Sequence, residues 1–113
     1  MPVKANPLKL NKLQARTLLL AQVLAKDPAS GFKNEETGEV TLMRLPHAHG
    51  NHVHVGPYVV SAKDASGFGN ISVWKALERK GLARIHGDDS FTITLRGQDY
   101  DTGLAQLLEQ SDH

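Results

Sequence analysis

Residues 71–85 read ISVWKALERKGLARI, and the fold turns on whether the run up to Gly81 is a helix. Val73, Trp74 and Leu77 recur at helical spacing and make an inward face, with Ile71 at its margin. Lys75, Arg79 and Lys80 fall on the other faces. Asn70 or Ser72 can cap the start, and Gly81 is a natural stop. The run therefore predicts an amphipathic helix over 70–80, anchored by one apolar face and presenting donors on another.

Toward the C-terminus, Leu82 to Ile85 suits a strand and HGDDS (86–90) a turn. FTITL (91–95) predicts a second strand with Phe91, Ile93 and Leu95 on one face. Thr94 can cap a last helix running from about Arg96 to Gln110, with Tyr100, Leu104, Leu107 and Leu108 as its apolar positions. Toward the N-terminus, Ser61 with Asp64 three residues later is a capping box that predicts a short helix. Gly67 and Gly69 break it, so SGFGN (66–70) is the turn between two helices. Residues 40–60, VTLMRLPHAHGNHVHVGPYVV, have strand texture, and PASGFKNEETGE (28–39) is a polar loop.

NKLQARTLLLAQVLAKDP (11–28) predicts the first helix, with Asn11 and Gln14 as its capping box and Pro28 beyond its end. Leu13, Thr17, Leu20, Ala21 and Leu24 form a stripe that Leu18, Leu19 and Val23 widen beyond one face. Such a helix is either central to the core or part of a subunit contact. Residues 1–9 are expected to be loose.

Composition bounds what this order of elements can be. A chain of 113 residues with 40% hydrophobic content supports one domain over residues 1–113. The formal net charge of +1 is too small for general coating of nucleic acid, so such binding needs basic residues gathered on one face. No cysteine is present, which excludes disulfides and thiolate chemistry. The N-terminus MPVKANPLKLNK lacks the apolar region of a secretory signal, and no apolar run is long enough for a membrane span. The expectation is a soluble, cytoplasmic protein with no membrane partner. Asp88-Asp89 has no partner at a catalytic spacing, SGFGN lacks a dinucleotide fingerprint, and Ser61, Ser66 and Ser72 lie in no nucleophile elbow. The sequence is not read as an enzyme.

The order helix, strand, short helix, turn, helix, strand, turn, strand, helix resembles the winged helix-turn-helix domain. ISVWKALERKGLARI, the Gly/Asp turn and FTITLRGQDY carry the likeness, over roughly residues 59–110. Leu77, Glu78, Gly81 and Leu82 resemble the Leu-Glu-x-x-Gly-Leu that ends the second motif helix in MarR-type and PadR-type regulators. Thr94 and Gly97 resemble the step from wing to last helix. The resemblance implies an α+β winged helix, a DNA-reading helix over 70–80, and double-stranded DNA as partner. Asn70, Ser72, Lys75, Arg79 and Lys80 are then the candidate DNA contacts. Two aspartates at the wing tip depart from that pattern, because they repel phosphate. Lys75, Arg79 and Lys80 also fit a solvated helix face, and many winged helices bind protein instead of DNA.

HAHGNHVH (47–54) holds four of the six histidines. Gly50-Asn51 between alternating runs is a two-residue hairpin signal. With the turn there, His49 lies opposite His52 and His47 opposite His54, and all four rings share one side. That side is a candidate site for zinc, nickel or copper, since neutral imidazole suits these ions. The alternatives are a proton-responsive patch or plain polar strand residues. The histidine hairpin is then an insertion at 40–60, between the first and second helices, with Tyr58-Val59-Val60 as the short strand of the basic winged helix. The leading expectation is a small dimeric DNA-binding regulator. A protein-interaction winged helix and a metal- or pH-responsive binding protein stand beside it. The first and last helices are expected to supply the homodimer contact.

Overall fold

The computed structural model describes residues 6–43, 45, 46, 50–87 and 90–104. Helix α1 spans Lys12–Lys26, and the expected capping box is present: Asn11 Oδ1 accepts from the Gln14 amide, and Gln14 Oε1 accepts from the Asn11 amide. Strands β1 (Gly31–Lys33) and β2 (Val40–Leu42) follow. Next come β3 (His52–Val55) and β4 (Tyr58–Ser61), a 3-10 turn at Ser66–Gly69, and helix α2 (Ile71–Arg79). β5 (Ala83–Ile85), β6 (Phe91–Ile93) and helix α3 (Leu95–Asp99) complete the order.

Four strands form an antiparallel sheet in the order β1-β2-β6-β5. Alternation turns Val40, Leu42, Ala83, Phe91 and Ile93 into the core. Thr41 and Thr92 are directly paired on the other face, where their hydroxyls hydrogen-bond at 2.9 Å. α1 packs against α2 and against β1, β2 and β6. Ala15, Thr17, Leu18, Leu19, Leu20, Ala21 and Leu24 are all buried, so α1 is the central element of the core. Thr17 is tolerated there because its hydroxyl donates to the Leu13 carbonyl. β3 and β4 form a separate two-stranded ribbon, and Val53, Val55 and Val60 join it to the same core.

Several sequence expectations need correction. PASGFKNEETGE is not all loop: Gly31–Lys33 pairs with Val40–Leu42 as a hairpin. Asn34 Oδ1 accepts from the amides of Glu36 and Thr37, and Gly38 takes the left-handed φ of 78° that closes the turn. β2, not Tyr58–Val60, lies against β6 as the short strand of the main sheet; β4 pairs with β3 instead. The helix expected from Ser61 is a turn followed by the 3-10 segment, although the Ser61 hydroxyl does accept from the Asp64 amide. The last helix has five residues and not fifteen, because Tyr100 leaves helical conformation with ψ 131°. Thr94 caps it as expected, accepting from the Gly97 amide at 3.0 Å. Leu95 is 53% exposed and does not continue the inward face of Phe91 and Ile93.

The N-terminal segment is tied down from Asn6 onward. The Asn6 amide donates to the Asp101 carbonyl, the Leu8 amide to the Tyr100 hydroxyl, and that hydroxyl to Asn6 Oδ1. These bonds explain why the chain turns at Tyr100. Leu107 and Leu108 lie outside the described residues. Among those described, no helix is long and apolar enough to cross a membrane.

Candidate nucleic-acid interface

α2 is placed by its apolar face. Trp74 is fully buried, lies 4.1 Å from Phe91 and 6.5 Å from Phe68 between ring centroids, and is nearly parallel to both. Its indole N–H donates to the Phe68 carbonyl at 3.1 Å, so the one polar atom of the ring is satisfied inside the core. Val73, Ala76 and Leu77 are buried beside it. The 3-10 turn that leads into α2 lies hard against α1: a Cβ on Gly67 would come within 1.8 Å of Thr17 Oγ1. Asn70 caps α2, its side-chain oxygen accepting from the Ser72 amide at 3.0 Å.

Fixing the buried face fixes the exposed one. Ser72, Lys75 and Arg79 are exposed, and their spacing of three, then four, residues aligns them along one stripe of α2. Asn70 is exposed at the start of the helix, where its oxygen is committed to the cap. Lys80 departs from the expected set. It is half-buried, and its ammonium donates to the Leu8 carbonyl at 3.4 Å, on the N-terminal segment. Ile71 is 45% exposed and lies on the open side of the helix, not on the inward face.

Other charges frame the stripe. Glu78 accepts from the Ile85 amide at 3.0 Å, so its carboxylate closes the free edge of β5. Arg96 places its guanidinium beside Gly81, within 3.8 Å of where a Cβ on that residue would lie, at the C-terminal end of α2. Arg96 is not among the contacts that helical spacing in α2 points to; the glycine at 97, which brings α3 against Leu82, is the sequence signal for its place here. Arg84 is exposed on β5 and pairs with Glu39. The β5–β6 connection is closed by the His86 amide donating to the Ser90 carbonyl, and the His86 ring hydrogen-bonds the Thr92 hydroxyl. Asp88 and Asp89 lie outside the described residues.

The histidine segment is partly described. His52 and His54 share one face of β3, and Val53 and Val55 are buried on the other. The partner strand of β3 is β4, joined through Gly56-Pro57, with His52 opposite Ser61 and His54 opposite Val59. Gly50-Asn51 is a turn, but the expected pairings to His49 and His47 fall on residues outside the described ones. Among the described residues, no three His, Asp or Glu side chains gather where one ion could touch them all. Comparison with protein-family models, with curated proteins and with solved structures finds no match to this chain.

Proposed function

We propose that this chain is a small winged-helix DNA-binding regulator that reads duplex DNA with α2. The observation that carries the reading is the division of α2 into a buried face of Val73, Trp74, Ala76 and Leu77 and an exposed stripe of Ser72, Lys75 and Arg79. A helix that enters a major groove needs both: a locked back and a front of hydrogen-bond donors. The order β2-β6-β5, with α1 and α2 packed over it, is compatible with a winged helix. Arg96 at the end of α2 adds a cation near the same helix. Lys80, turned toward Leu8, has a lesser part than Ser72, Lys75 and Arg79. The direct test is a gel shift with random duplex in low salt, where the wild-type protein retards the duplex. A protein that leaves it unshifted is not a DNA reader.

A protein-binding winged helix is the second reading. Phe32 and Met43 favour it, being 66% and 49% exposed beside one another at the β1 side of the sheet. A homodimer unites the two readings. α1 buries most of its apolar stripe in the core, which leaves its partly buried Leu13 and Val23 to any two-fold contact through the first helix. The β1 edge, flanked by Phe32 and Met43, is the surface that a second copy covers symmetrically.

A further inference from the structure

His52 and His54 stand two residues apart on β3, and their rings share the face opposite the buried Val53 and Val55. Their ring centroids are 5.3 Å apart and their planes cross at 84°. Two imidazoles on one tetrahedral ion, with metal–nitrogen bonds of about 2.0–2.1 Å, place their centroids roughly 5 Å apart. The observed spacing is that of an edge-to-face ring contact, and it is also one that two ligands of a single ion can keep. The strand that carries both rings is held in place, because each of its four residues is paired with β4 and both valines are anchored in the core. The backbone needs no rearrangement to bring the pair to one ion.

We infer that His52 and His54 form a two-histidine site for a borderline divalent cation, with zinc, nickel and copper(II) as the class, and with solvent completing the coordination shell. Imidazole ligands set that class, since magnesium and calcium require oxygen donors. The site is separate from the exposed stripe of α2 and does not depend on DNA binding.

Calorimetry of the tag-free protein with zinc chloride at pH 7.5 tests the site. One zinc per chain is expected to bind to the wild type, and His52→Ala with His54→Ala should weaken it by about tenfold or more. His47→Ala with His49→Ala should keep the greater part of the binding. Imidazole proton signals of His52 and His54 in the wild type should move on adding zinc, while those of His86 stay in place; this readout needs no variant. No heat beyond dilution overturns the inference, as does equal binding by the His52/His54 variant. Unmoved ring signals for the pair do the same.

Discussion

Trp74 stacks on Phe91 and lies near-parallel to Phe68 with no surface exposed, and its N–H is bonded to the Phe68 carbonyl. Trp74→Ala removes the side chain that joins α2, the 3-10 turn and β6, leaving a cavity that its neighbours cannot fill. The expected loss is about 3–5 kcal/mol, a large part of the stability of a domain this size. Thermal denaturation followed by circular dichroism reads it, and a melting temperature within a degree of wild type would contradict the placement. Gly97 makes a different demand. A Cβ there would lie 2.0 Å from the Leu82 carbonyl oxygen, which is backbone and has no room to give. Gly97→Ala should cost about 1–3 kcal/mol through forced displacement of α3 from the Leu82 carbonyl. That close approach is the physical reason for the glycine three residues after the Thr94 cap. An alanine variant as stable as wild type would refute it.

At the scale of elements, α1 and α2 were legible because caps and periodicity agree in each, and β5 and β6 because β-branched and apolar residues flank a turn. Asn11 and Gln14 mark the start of α1, and Asn70 that of α2. The β1–β2 hairpin was hidden because its turn is polar and β1 is only three residues long, too short for alternation to register. Its signal was Asn34 with Gly38, an acceptor and a left-handed position four residues apart. Asn34→Ala should therefore lower stability by about 1 kcal/mol, a shift of a few degrees in melting temperature. An unchanged melting curve would show that the turn does not rely on this side chain. The histidine segment held two turn signals, Gly50-Asn51 and Gly56-Pro57. β3 pairs with β4 across the second, with Val53, Val55 and Val60 buried, while the first leads to residues outside the described ones. The length of α3 was illegible because Tyr100 is held by Asn6 and Leu8, more than ninety residues away in sequence. Of the candidate DNA contacts, Ser72, Lys75 and Arg79 follow directly from helical spacing. The diversion of Lys80 depends on where the N-terminal segment lies.

Over the whole molecule, the α2 stripe and the β1 edge with Phe32 and Met43 are exposed surfaces among the described residues. If a second copy covers that edge, sedimentation at tens of micromolar should give a dimer mass, and Phe32→Ser with Met43→Ser should give a monomer. A monomeric wild type would show that no copy covers this edge. Salt dependence tests the α2 stripe as the DNA-reading surface, because every phosphate neutralised releases counterions whether or not bases are read. The measurement is fluorescence anisotropy of a labelled random duplex, titrated with wild type and with Lys75→Ala/Arg79→Ala across a series of salt concentrations. If α2 lies on DNA, the wild type binds at low salt. The variant should bind more weakly, with a slope of log affinity against log salt shallower by about 2. A variant that binds as tightly as wild type with the same slope, or a wild type that does not bind at the lowest salt, contradicts the claim that α2 reads DNA.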